Sequence, residues 1–229
     1  MTRLELAVLL REEAGVSGSG PTSTVSQSGE YKMLVGWMDR AYNRIQLKHR
    51  DWKFLRNDFS RALTSGTSEY TASDTGSLRH RTWITDDVRC YLTATGESDE
   101  QDIFFMPWTD FKRTYLFGSA RAQTGRPSYF TVKPDDSLVF WPVPDDSYTV
   151  VGEYYVKPVD WSIESDPDSE TPIFPEEFHE IVVWGALKFY GANYVEHDKY
   201  VHGANEYKDL LEQLEQDQRP QMGWGGPLA

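Results

Sequence analysis

His179-Glu180 opens like the helix of a zinc-dependent hydrolase, in which two imidazoles one turn apart hold the metal and the glutamate activates a water. The second imidazole would fall at position 183, where Val183 stands. His197 and His202 are five residues apart and so do not face each other on a helix, and His49 and His80 stand alone. Tetrahedral zinc takes three or four such ligands, so no metal site and no cofactor is expected. Cys90 lies in Val88-Arg89-Cys90-Tyr91-Leu92 with no histidine nearby to take its proton, and is expected as a small buried strand residue. The Asp-Asp pairs at 86–87, 135–136 and 145–146 resemble paired carboxylates or calcium ligands. Two of the three follow a proline between strand-forming runs, where turn chemistry explains them. No Gly-x-Ser-x-Gly elbow is present, and no Gly-Lys-Ser/Thr follows the glycines at 15, 18 and 20. No catalytic constellation forms, and the chain is not expected to be an enzyme.

Two features fit recognition better than catalysis. Arg40, Arg44 and Lys48 recur every fourth residue, followed by Arg50, Lys53, Arg56 and Arg61. Such a stripe is either a solvated helix face or the partner of an acidic helix, this chain's own 195–217 or a neighbour's. The end of the chain, 218–229, holds Arg219, Met222 and Trp224 among glycines and prolines. It reads as a loose tail that orders on a partner, with Trp224 as anchor, because tryptophan and arginine dominate interface energetics.

The elements that carry these residues follow from periodicity. Residues 2–13 predict a helix with Leu4, Ala7 and Leu10 on one stripe, ended by a flexible Gly/Ser/Pro connection at 15–24. A second helix over 30–50 places Leu34, Met38, Ala41 and Ile45 on one face. After Trp52, short runs of Thr, Tyr, Phe, Trp and Val between Gly, Asp and Ser predict strands and turns. Pro-Asp-Asp-Ser at 134–137 and again at 144–147 separates three such runs, predicting a three-stranded antiparallel meander over 129–157. In the third run Tyr148, Val150, Tyr154 and Val156 share a face, with Gly152 between them. A helix is predicted from about Pro175. Ile181 to Ala192 is apolar nearly all round, which requires cover on more than one side. From Tyr200 the apolar stripe narrows to Tyr200, Ala204, Tyr207, Leu211 and Leu214.

The expected fold class is therefore α+β, a bundle formed by N- and C-terminal helices with an inserted antiparallel β-rich region. The expected boundaries are 1–55 plus 175–217 for the bundle and 56–160 for the β region. An extended acidic connection at 161–174 and a flexible tail at 218–229 complete the layout. The aromatic share of 14 % argues against disorder, and the run from Ile181 to Leu187 is too short to cross a bilayer. The first residues lack the basic start and apolar core of a signal peptide, and the lone cysteine fits a reducing compartment, so folding inside a cell is expected. Of the net charge of −13, residues 160–217 carry 15 acids against three lysines. Such a surface repels phosphate, which disfavours sequence-specific nucleic-acid binding.

Several ordered segments resemble the head–tail adaptor (head-completion, connector) proteins of tailed bacteriophages. They are Gly15-Val16-Ser17-Gly18-Ser19-Gly20-Pro21, the helix with Gly36-Trp37 and Ala41-Tyr42, and Asp51-Trp52-Lys53-Phe54-Leu55-Arg56. Further on come Gly125-Arg126-Pro127-Ser128-Tyr129-Phe130, Trp141-Pro142-Val143-Pro144 and Tyr154-Tyr155-Val156. The last are Phe174-Pro175-Glu176-Glu177-Phe178-His179-Glu180-Ile181 and Trp184-Gly185-Ala186-Leu187. The resemblance implies a structural virion protein at the head–tail neck, made in the host cytoplasm. It implies a homo-oligomeric ring, dodecameric in the virion, docked under the portal ring with a tail or nozzle protein below. DNA would pass through without being bound, and there would be no catalysis and no membrane. It makes Arg219, Met222 and Trp224 the portal-binding candidates. Arg40, Arg44, Lys48, Trp184, Phe189 and Tyr190 are the candidates for subunit or partner contact. The rival expectations are another neck or tail ring, such as a tail terminator or tubular tail protein, and a glycan-binding module using Trp83, Trp108, Trp141 and Trp161.

Overall fold

The computed structural model of the protein describes residues 1–77 and 79–219. The helices are α1 (Arg3–Ala14), α2 (Gly29–Lys48), α3 (Trp108–Thr114), α4 (Ile181–Tyr194) and α5 (His197–Gln218). The strands are β1 (Arg56–Ala62), β2 (Glu69–Tyr70), β3 (His80–Leu92), β4 (Gln101–Asp102), β5 (Phe104–Phe105), β6 (Tyr129–Val132), β7 (Leu138–Trp141) and β8 (Tyr148–Val156). The fold is α+β. Helices from both ends of the chain form one compact unit, Met1–Leu55 with the chain from Pro158 onward, and Arg56–Lys157 forms the other.

In the helical unit, α1 starts on a capping box. The Glu5 N–H donates to the Thr2 hydroxyl at 3.2 Å, and the Thr2 N–H donates to the Glu5 carboxylate at 2.8 Å. Gly15, in the left-handed region at φ 68°, ends the helix. Arg3 is buried and makes a two-pronged bond to Asp39 of α2, at 3.1 and 2.9 Å. A charge removed from water is tolerated there because it is paired. α2 buries Leu34, Met38, Ala41 and Ile45, the predicted face, together with Val35 and Tyr42. Trp52, fully buried beyond its end, donates its indole N–H to the Ile45 carbonyl at 3.1 Å.

α4 runs among α1, α2 and α5 and buries Ile181, Val182, Val183, Ala186 and Leu187. Its lack of a polar face is thus met within the chain, so that feature does not require a second copy. α4 and α5 lie close because small residues face each other's backbone. A Cβ on Gly191 would stand 2.5 Å from the Tyr200 nitrogen, and one on Gly203 would stand 3.0 Å from the Trp184 carbonyl oxygen. The acidic stretch before α4 is held on the bundle. Gln46 accepts from the Val159 N–H at 2.7 Å and donates to its carbonyl at 3.0 Å. Trp161 is buried and stacks on Tyr42 at 3.9 Å.

The β unit holds two four-stranded sheets, ordered β1-β8-β3-β4 and β2-β7-β6-β5. β8 is central in the first and buries Tyr148, Val150, Gly152, Tyr154 and Val156, the face the alternation predicts. Cys90 is buried in β3, where burial pushes its thiol up to about 11. The hairpin β6–β7 forms around 133–137, with Asp136 left-handed at φ 64° and the Ser137 N–H bonded to the Asp135 carboxylate at 3.1 Å. The predicted meander, however, breaks at its second turn. β7 and β8 belong to different sheets. Pro142 and Pro144 have no N–H to offer a hairpin. Val143 between them donates to the Gln123 carbonyl at 3.0 Å and accepts from the Gly125 N–H at 2.9 Å. The chain is thereby diverted before β8 begins.

Candidate assembly surfaces

The basic stripe of α2 meets α4 and α5 of its own chain. The guanidinium groups of Arg40 and Arg44 lie over the Phe189 ring, 5.5 and 4.8 Å from its centre. Lys48 pairs with Glu215 at 2.6 Å, and His49 reaches the same carboxylate at 2.8 Å. Burial works to raise the Glu215 carboxyl, but the bonds from Lys48 and His49 prevail and hold it below its usual range. Lys53 donates to the Asp217 carbonyl at 2.8 Å. Arg40, Arg44 and Lys48 keep exposed faces, so a second partner can still reach them.

Of the α4 candidates, Tyr190 is buried and packs edge-on against Trp37 at 6.0 Å. Trp184 is half-buried against His202 at 5.1 Å, and Phe189 lies half-buried under the two arginines. Arg219 is exposed just beyond α5, its N–H bonded to the Glu215 carbonyl at 3.1 Å. Met222 and Trp224 lie outside the described residues. Of the tryptophans weighed for sugar stacking, Trp83 and Trp161 are buried, and Trp161 belongs to the helical unit; Trp108 and Trp141 are half-buried.

Two further surfaces escape periodicity. The first is the turn between α4 and α5. Tyr194, Tyr200 and Val201 are exposed there, and Val195 is 88 % exposed. Val195 is also left-handed, at φ 59°, a conformation that a β-branched residue rarely adopts. Asp198 is exposed beside it, and Lys199 pairs with Glu196 at 2.9 Å. No hydrophobic scale marks a backbone angle, so the sequence carried no signal for this corner.

The second lies in the β unit. From Phe111 to Pro134 the sequence has five basic residues and no acid, a signal that could have been read. Arg126 is tied to Asp99 at 3.0 Å and Lys133 to Glu69 at 2.6 Å. Lys112, Arg113 and Arg121 are exposed and have no carboxylate partner among the described residues. Phe117 is 77 % exposed between them and Phe104 62 %. Behind Phe104 the rings run on through Tyr129 and Tyr115 to Trp141, with Tyr115 and Trp141 stacked at 4.0 Å. The lobe is pinned by the Trp141 indole N–H, which donates to the Ala120 carbonyl at 2.8 Å.

Among the described residues no group of three His, Cys, Asp or Glu side chains is placed to hold a metal. His179 is buried, with Nε2 3.0 Å from the Phe174 carbonyl and Nδ1 2.9 Å from the Met1 nitrogen. Burial lowers its pKa, so it sits as a neutral ring bridging two segments of the bundle. No described helix is long and apolar enough to cross a membrane. Comparison with known proteins finds one family model, described as SU10 adaptor protein, that matches residues 1–229, the full length of the chain. No curated protein matches it.

Proposed function

We propose, given that this chain belongs to the SU10 adaptor protein family, that it joins the portal ring at the capsid vertex to the tail and lines part of the DNA conduit. Membership makes it a structural adaptor of the phage virion that works among other head and tail proteins. The observation that carries the finer reading is the extent of the match, which takes in the bundle, the inserted β unit and the tail together.

Copies form a ring, dodecameric to match the portal. The segment 218–229 engages the portal through Arg219, Met222 and Trp224, an arginine and a tryptophan being the side chains best suited to anchor a short peptide. Arg40, Arg44, Phe189 and Trp184, each partly open to solvent, meet a neighbouring copy or partner. The acidity of 160–217 supports a conduit, because like charge removes the attraction that would hold passing DNA.

The test is the mass of the complex formed with the portal ring of the same phage. One adaptor per portal subunit is expected, and removal of 218–229 should abolish attachment while leaving the circular-dichroism spectrum unchanged. Binding to tail components but not to the portal would move the protein to a terminator or tail-tube station instead.

A further inference from the structure

Each of the two uncovered surfaces is costly to leave in water, and they complement each other. The lobe of the β unit presents Lys112, Arg113 and Arg121, with exposed Phe117 midway along the chain between the two arginines, and exposed Phe104, whose ring leads through Tyr129 to Tyr115 of the same segment. The α4–α5 corner presents Tyr194, Val195, Tyr200 and Val201 at the head of a helix with six acids and two lysines, of which Asp198 is exposed in its first turn. Exposed apolar side chains grouped in this way mark contact sites. Val195 adds an independent sign. Its backbone closes α4 by an N–H bond to the Gly191 carbonyl, but its apolar side chain is left 88 % exposed, and a β-branched residue kept at such a strained, uncovered position points to use.

We infer that the basic aromatic lobe of one copy seats on the α4–α5 corner of a second copy. The occupant follows from charge. An acid-free run of 24 residues in a chain of net −13 selects an acidic partner, and α5 is the acidic helix this chain itself supplies next to exposed apolar groups. Two different patches on the same chain make a head-to-tail contact, which generates a closed ring when the rotation between copies permits. The partner assignment deepens the ring reading above and rests on it.

The experiment uses the full chain, alone across a concentration series and bound to the portal ring, with association followed by sedimentation and by cross-linking between isotopically distinct copies. Lys112→Glu with Arg113→Glu, and separately Asp198→Arg, should each weaken association between copies about tenfold. A chain carrying all three changes should recover most of it, with cross-links running from the lobe to the corner. All three positions are exposed, and a second variant, Phe117→Ser, should weaken association without altering the unfolding temperature. Unchanged association after reversal, a combined variant that fails to recover, or reversal that removes binding to DNA instead would each overturn the assignment. Portal binding that persists while copies meet through other surfaces would defeat this inference alone. Copies that associate as described but ignore the portal would defeat the adaptor reading alone.

Discussion

At the scale of single residues, energy is stored where the bundle meets solvent. Val195 holds a left-handed conformation that costs a β-branched residue about 1–2 kcal/mol. Glycine adopts it freely, so Val195→Gly should stabilise the isolated chain by about 1 kcal/mol while weakening contact between copies. Thermal unfolding and sedimentation of the same sample measure both. His179 supplies a pH dependence. Its folded pKa lies below the ordinary 6.5, so the unfolded chain binds the extra proton more readily. The contribution is present above about pH 6.5 and is lost as pH falls through the folded value. Unfolding temperature should therefore drop as the solution is taken below that pH, and His179→Gln should flatten this part of the profile. His80, half-buried in the β unit, shifts in the same direction, so a residual slope in the variant belongs to it.

At the scale of elements, the α4–α5 hairpin depends on close backbone approach. An alanine at 191 would gain about 1 kcal/mol of helix propensity but push its Cβ against the Tyr200 backbone, which has no rotamer to yield. The clash should prevail, with Gly191→Ala destabilising the chain by about 2 kcal/mol in denaturant unfolding. The same contact explains which part of the bundle was legible in sequence. The four-residue rhythm of Leu34, Met38, Ala41 and Ile45 gave the α2 face correctly, because large apolar side chains make that contact. The α5 stripe was misplaced at its start. Tyr200 is 43 % exposed, and Gly203 is the residue buried against α4, which no apolar pattern selects. In the β unit the 134–137 turn and the antiparallel β6–β7 pairing were readable from Pro and Asp, but not the break before β8. Whether Val143 bonds to a hairpin partner or to 123–125 is decided by residues distant in sequence. The basic stripe was readable as a stripe; that Lys48 would reach Glu215 depends on the crossing of α2 with α5, which spacing along one helix does not contain.

At the scale of the molecule, the two ends of the β unit lie side by side within that unit. Arg56 lies opposite Tyr155 in the β1–β8 ladder, two residues before the unit ends at Lys157. Replacing 56–157 with a few glycines should therefore leave a helical protein that still unfolds cooperatively. Residues 56–157 expressed alone should fold into a β-rich domain, because they form a compact unit of their own. Loss of cooperative unfolding in both pieces would show that neither core suffices.

That pairing of the unit's two chain ends also has a mechanical meaning. β1 and β8 are antiparallel, and the ends attached to the helical unit are adjacent, Arg56 beside Tyr155. A pull that spreads those two attachment points loads the ladder at one end, so its hydrogen bonds yield one pair after another, like a zipper. A pull along the strands in opposite senses would have to break many at once. Tension applied to those two chain ends would therefore test this ladder from its first pairs, Arg56 with its Glu153 ion pair among them.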